Sequence, residues 1–109
     1  MENGSYLYAV EMSTPLGKRR GQLELIVWEN FLNGYLTMFT RCFPIQNGKR
    51  SGNHVSFQGE MKTIMKSLSY QAEGKIAGKK ISLVLTTDSG SYQTTGFLTG
   101  EKGEPITNE

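Results

Sequence analysis

The chain reads as an all-β protein, an antiparallel up-and-down meander that closes into a small barrel of about eight strands. Three observations carry this reading. Apolar residues recur at every second position in run after run, the signature of half-buried strands. Turn compositions separate the runs at intervals of about 10 to 14 residues, the spacing of a meander. No window of a dozen residues keeps a 3.6-residue period, so no long helix is expected.

The runs follow one another in order. Tyr6, Tyr8, Val10 and Met12 alternate and stop at Thr14-Pro15-Leu16-Gly17, a Pro-to-Gly turn signal. Leu23, Leu25 and Val27 form the second run, and Leu32, Leu36 and Met38 the third, with Gly34 inside it. Phe43 to Gln46 counts as a short fourth strand. Val55, Phe57, Gly59 and Met61 come next, then Leu68, Tyr70, Ala72 and Gly74. Ile81, Leu83 and Leu85 make the seventh run, and Tyr92, Thr94, Gly96 and Leu98 the eighth. Between them, Glu29-Asn30, Gln46-Asn47-Gly48, Ser51-Gly52-Asn53, Ala77-Gly78-Lys79 and Asp88-Ser89-Gly90 have turn compositions, because Gly, Asn and Asp accept positive φ or bond their own backbone. The best helical candidate is a turn within Glu60 to Leu68, where Met61, Ile64, Met65 and Leu68 fall on one helical face.

An internal repeat sharpens the picture. Tyr70 to Lys80 aligns with Tyr92 to Lys102, sharing Tyr, Gln, Gly, Gly and Lys at equivalent positions. The separation is two strands and two turns, so equivalent residues are expected on next-but-one strands running the same way. Gly59, Gly74 and Gly96 interrupt apolar runs, as expected of bends or close backbone approaches in a sheet that must curl.

With eight strands, the last run can pair with the first and remove both sheet edges. The interior is then just wide enough to be filled by side chains or to hold one small ligand. The inward set is Tyr8, Val10, Leu23, Leu25, Leu36, Met38, Phe57, Leu68, Tyr70, Leu83, Leu85 and Tyr92. The same run lengths also fit a five-stranded OB-like barrel or a two-sheet sandwich. A single domain is expected over residues 1–100, with a flexible tail over 101–109, where Gly103-Glu104-Pro105 breaks the pattern.

Met12 to Gly17, then Gly21-Gln22-Leu23-Glu24-Leu25 and the repeated Tyr-x-x-x-Gly strand ends, resemble small bacterial lipocalin-like (calycin-type) barrel domains of uncharacterised function. The resemblance spans roughly residues 6 to 100 and implies a lipocalin-like fold. Its motifs specify turns, not chemistry. Gly4-Ser5-Tyr6 stands where true lipocalins carry Gly-x-Trp, and the lone Trp28 departs from the several tryptophans of an avidin pocket. No binding residue transfers.

The residue inventory argues against an enzyme. With one His and one Cys among 109 residues, a zinc or iron site lacks ligands, and no cofactor is implied. His54 reads as a solvated or hairpin-capping imidazole, and nothing in the spacing joins it to Asp88 in a triad. Cys42, beside Phe43-Pro44, reads as a small packed hydrophobe. Gly48-Lys49-Arg50-Ser51-Gly52 lacks the phosphate-loop spacing. No catalytic or metal-binding residue is assigned. The single cysteine needs no oxidising compartment, and the first residues show no basic and apolar leader. The expected setting is cytoplasmic, with no membrane span.

The formal charge is only +2, short of the strong bias of a dedicated nucleic-acid binder. Alternating loops place Lys18, Arg19, Arg20, Arg41, Lys62 and Lys66 as a basic rim at one barrel end. Tyr35 and Phe39, with Phe31, are expected on the outer face of the third strand. The leading expectation is a non-enzymatic module for a small apolar or amphipathic ligand inside the barrel, contacted by Tyr8, Val10, Leu25, Leu36, Met38, Phe57, Tyr70, Leu83 and Tyr92. The alternative is a protein-interaction or homo-oligomeric assembly module using the third strand's outer face and the basic loops. Weaker still is nucleic-acid backbone binding through Lys18-Arg19-Arg20, which predicts steeply salt-dependent retention.

Overall fold

A computed structural model describes residues 2–62 and 67–102 of the chain. Strands account for nearly all of them: β1 (Gly4–Thr14), β2 (Gly17–Trp28), β3 (Phe31–Met38), β4 (Arg41–Pro44), β5 (Gln46–Ser51), β6 (His54–Lys62), β7 (Ser67–Ala77), β8 (Lys80–Thr87) and β9 (Gly90–Lys102). Every pairing is antiparallel, and β9 returns to β1, with Ser5 opposite Lys102 and Met12 opposite Thr94. With β2 also paired to β3, the sheet closes into a barrel, which satisfies most of the backbone groups an open sheet would leave bare. No helix occurs among the described residues.

Nine strands make eight staves. β4 continues the antiparallel run beside β3, with Tyr35 opposite Pro44. β5 then takes over the same partner, with Leu32 opposite Gly48. The register slips by one residue between the two, while the Ile45 N–H still donates to the Gly34 carbonyl at 3.0 Å. Asn47 absorbs the slip at φ 52°. This is a β-bulge, the device that bends and re-aims a stave so that a barrel can close. Gln46-Asn47-Gly48 is accordingly not the turn its composition predicts: Asn and Gly supply left-handed backbone in a bulge as readily as in a hairpin.

The alternation of apolar residues persists along each stave. Tyr6, Tyr8, Val10 and Met12 of β1 are buried, as are Leu23, Leu25 and Val27 of β2 and Ile81, Leu83 and Leu85 of β8. Of the inward set read from the sequence, ten residues are buried, and Leu68 and Tyr92 are partly buried against the same core. Phe57 and Tyr70 meet edge to face, ring centres 6.1 Å apart, the geometry aromatic quadrupoles favour. Tyr70 also lies over Gly59, directly opposite on β6, where an added Cβ would come within 2.7 Å of the tyrosine hydroxyl. An aromatic ring thus covers the bare backbone of the glycine, which pins the register of the pair. At Gly34 the constraint is backbone: φ is +140°, and a Cβ would fall 1.8 Å from the Glu24 carbonyl oxygen.

The internal repeat lands as expected, on β7 and β9, which flank β8 and run the same way. Gly74 and Gly96 both face β8, opposite Leu83 and Ile81. The helical candidate is overturned in part: Glu60 to Lys62 complete β6, and Ser67 and Leu68 open β7. Its remaining positions, Ile64 and Met65, lie outside the described residues. Of the tail expected over 101–109, Glu101 and Lys102 form the end of β9, and the rest lies outside the described residues.

The two ends of the barrel are built differently. At the far end, the β2–β3, β5–β6 and β7–β8 turns are each tied to a neighbouring strand. The Arg50 N–H donates to Asn30 O at 2.8 Å, the Ile76 N–H to Asn53 O at 2.9 Å, and the Leu98 N–H to Lys79 O at 2.7 Å. Asn3 adds a bidentate link to Glu29, accepting its backbone N–H at 2.7 Å and donating to its carboxylate at 3.1 Å. At the opposite end, the mouth, the β1–β2 and β8–β9 turns close on themselves. The Thr14 hydroxyl accepts from the Leu16 N–H and donates to Gly17 O, and Thr87 does the same with Ser89 and Gly90. These are twin Thr-x-x-Gly turns of the kind small hydroxyls favour.

Candidate functional site

The interior that the sequence offers as a ligand cavity is occupied. Tyr8, Val10, Leu25, Leu36, Met38, Phe57, Tyr70 and Leu83 all belong to one buried core cluster, with Tyr8, Leu25 and Met38 essentially sealed from solvent. Eight staves enclose a space that these side chains fill. Of the nine residues expected to touch a ligand, Tyr92 borders an apolar recess, while Tyr70 and Phe57 contribute to the edges of two grooves elsewhere on the barrel.

That recess, of about 300 Å³, lies at the mouth. Met12 and Met61 are its most deeply buried residues, and Leu68 and Tyr92 border it where they remain partly open. Thr14, Pro15 and Leu16 of the first turn and Phe39 of the third bring the remaining apolar surface. Leu16 is 84% exposed, the least sheltered of the described large hydrophobic side chains and at the turn beside the recess. Two flexible thioethers suit such a surface, because methionine adapts to irregular ligands.

One cation shares the recess. Arg19 stands opposite Met12 in the β1–β2 register, and residues opposite one another point to the same face of a sheet. Lys18 and Arg20 fall to the outer face, where both meet Glu11, at 3.4 and 3.3 Å. Arg19 reaches neither that carboxylate nor any other among the described residues; its guanidinium makes only a long contact, Nη1 to Lys18 O at 3.4 Å. The basic rim therefore divides. Lys18 and Arg20 are neutralised outside, Lys62 is paired with Glu60 at 3.9 Å, Arg41 is exposed at the start of β4, and Lys66 lies outside the described residues. Arg19 borders the apolar recess.

Phe39 is not on the outer face of the third strand. β3 ends at Met38, and Phe39 with Thr40 forms the β3–β4 turn, both in the left-handed region at φ 56° and 60°. That conformation is uncommon for an aromatic and a β-branched residue, and each costs about 1–2 kcal/mol there. Strain of this kind gathers at functional sites, and here it sets Phe39 against the recess. Tyr35 and Phe31 do face outward, Phe31 beside Trp28 across the β2–β3 hairpin. Cys42 is exposed rather than packed, because alternation sends its neighbour Phe43 inward.

Among the described residues, the other candidate groups are not brought together. His54 opens β6 at the far end and Asp88 sits in a mouth turn, so the two cannot share a triad. No cluster of three metal-ligating side chains forms, and no helix is long and apolar enough to cross a membrane. A second groove, of about 320 Å³, runs along Gln58, Ser69, Gln71, Thr86, Thr87 and Asp88; it is polar, with a single carboxylate. Tyr70 lines it too, but its hydroxyl is buried without a partner, and burial pushes its pKa well above the ordinary tyrosine value. Set against protein-family models, curated proteins and solved structures, the chain matches none. Any functional reading therefore rests on the geometry of the barrel itself.

Two signals for this site were present in the sequence. Arg19, Gly21, Leu23, Leu25 and Val27 share one parity, which puts Arg19 in phase with the core side of its strand. Met12 and Met61 likewise fall in the inward phase of their runs. Parity assigns a face but not a height along the barrel, so it does not separate recess from core.

Proposed function

We propose that this barrel is a non-enzymatic binding module that takes a small apolar or amphipathic molecule at its mouth rather than deep in its interior. The observation that carries the reading is the apolar recess walled by Met12, Leu16, Phe39, Met61, Leu68 and Tyr92. Its volume sits at the lower end of the range for small-molecule sites, which are largely apolar with a few polar groups to orient the ligand. A cytoplasmic setting accompanies the proposal, since the lone Cys42 needs no oxidising environment.

A fluorescent apolar probe titrated into the protein tests this. Saturable one-to-one uptake is expected, weakened about tenfold by Leu16→Glu, which puts a charge against the bound molecule while leaving an exposed turn free to fold. Equal uptake by both proteins rules the mouth out.

The exposed Trp28, Phe31 and Tyr35 on β2 and β3 favour a second reading, a protein-interaction surface, because aromatic side chains concentrate binding energy at interfaces. Sedimentation of the protein with and without Trp28→Ser and Phe31→Ser checks its self-associating form. A concentration-independent monomer in both removes it.

A further inference from the structure

We infer that the molecule bound at the mouth is a single-chain amphiphile with a carboxylate head group, held by Arg19; this rests on the mouth being the binding site. Three features combine. The recess is apolar on nearly all sides, so it suits a hydrocarbon chain. Arg19, the one cation among the described lining residues, has no carboxylate within reach among the described residues, although both its sequence neighbours have found one. And Arg19 is half-buried on the inner face, where a guanidinium without a counter-charge is costly and an incoming anion relieves the cost.

The head-group class follows from the number and shape of the donors. One guanidinium offers a planar fork that matches a carboxylate in a bidentate pair. A phosphate dianion asks for more positive charge than one arginine supplies. Lys18 and Arg20 are on the outer face with Glu11, and Lys62 is with Glu60. Asp88, at the same end, is exposed and does not line the recess, so it does not compensate Arg19 there. A head group at Arg19 leaves the chain to run toward Met12 and Met61, whose thioethers adapt to its shape.

Calorimetric titration with octanoate, decanoate and dodecanoate, and with the alcohols of the same lengths, all below their micellar concentrations, tests the assignment. The carboxylates should bind at least tenfold tighter than the alcohols. Each added methylene should tighten binding roughly fourfold until the recess is full, whatever the head group. Arg19→Gln should bring acid and alcohol within about twofold while keeping the chain-length dependence. Arg19→Lys should restore part of the preference, and Lys18→Gln, on the outer face, should keep all of it.

The failures differ. Alcohols that bind the native protein as tightly as acids overturn the head-group assignment and leave the mouth reading standing. Native protein that takes up neither series at any length removes the mouth reading and this inference together. Binding to phosphatidylcholine vesicles containing phosphatidylglycerol, with no uptake of free acids, makes the partner a membrane surface and overturns the soluble amphiphile.

Discussion

The two ends of this barrel are made of the same kind of hairpin and behave as different materials. At the far end every turn is bonded to a strand beside it, and Val27, Leu32, Val55, Ile76 and Ile81 plug the opening. At the mouth, the Thr14 and Thr87 turns bond within themselves and, among the described residues, show no backbone tie to a neighbouring strand, the Phe39-Thr40 turn is strained, and an apolar recess is lined by described residues of these turns. A closed sheet supplies one rigid scaffold to both ends; the lacing of the turns decides which end can adjust to a ligand. Binding residues concentrate on loops held by such a scaffold, and segments with few cross-links open at low free energy.

The largest expected effect separates stability from binding. Leu25 is fully buried, and Leu25→Ala should cost about 2–5 kcal/mol in chemical denaturation. Leu16→Ala, on an exposed turn, should change stability by no more than about 0.5 kcal/mol yet weaken uptake of an apolar probe. If both substitutions destabilise equally, the mouth is part of the core and the contrast fails.

Lacing itself comes next. Asn3→Ala removes two hydrogen bonds to Glu29 and should cost about 1–2 kcal/mol. Amide exchange should quicken at the β2–β3 turn and the start of β1, while exchange at the mouth turns should stay as it is in the native protein. Protection lost evenly around the barrel would mean that the ends are not separate units.

A change of opposite sign probes the mouth. Thr40 adopts positive φ and does not line the recess, so Thr40→Gly relieves strain without touching a ligand. A stabilisation of about 1 kcal/mol is expected in thermal unfolding, with probe affinity unchanged. A loss of stability would show that the turn holds its shape by contacts that outweigh its backbone.

Much of this architecture was legible before any coordinate. Tyr6 to Met12, Leu23 to Val27 and Ile81 to Leu85 announce strands because burial on one face imposes period two, and that constraint acts residue by residue. Three features were hidden. The Phe39-Thr40 turn contains neither Gly nor Asn, so strain borne by the surrounding sheet stands where turn chemistry is normally read. Asn47-Gly48 carries turn chemistry but spends it on a bulge, because β4 and β5 share one partner in β3. And alternation marks Tyr8, Leu25 and Met12 as inward alike, although two fill the core and one lines the recess. Height along a barrel depends on strand tilt and stagger, which are properties of the closed sheet and not of any single strand.

The smallest effect concerns how dry the interior is. The Tyr70 hydroxyl is buried with no partner, and burial raises its pKa because the phenolate is poorly solvated there. Below about pH 10, the ordinary tyrosine value, both folded and unfolded chains keep this proton, so Tyr70 adds no pH dependence. Above it the unfolded chain releases the proton while the folded one retains it. Stability must then fall as pH rises, by up to about 1.4 kcal/mol per pH unit from this group. Tyr70→Phe should be neutral or up to about 1 kcal/mol stabilising at pH 7, since no hydrogen bond is lost, and its stability should decline less steeply in alkali. Thr94, whose hydroxyl is equally buried and unpartnered, should behave alike at pH 7 as Thr94→Val but leave the alkaline slope intact. A loss of more than about 1 kcal/mol in either variant at pH 7 would place a bridging water beside that hydroxyl, and the boundary between dry core and wet mouth would move inward.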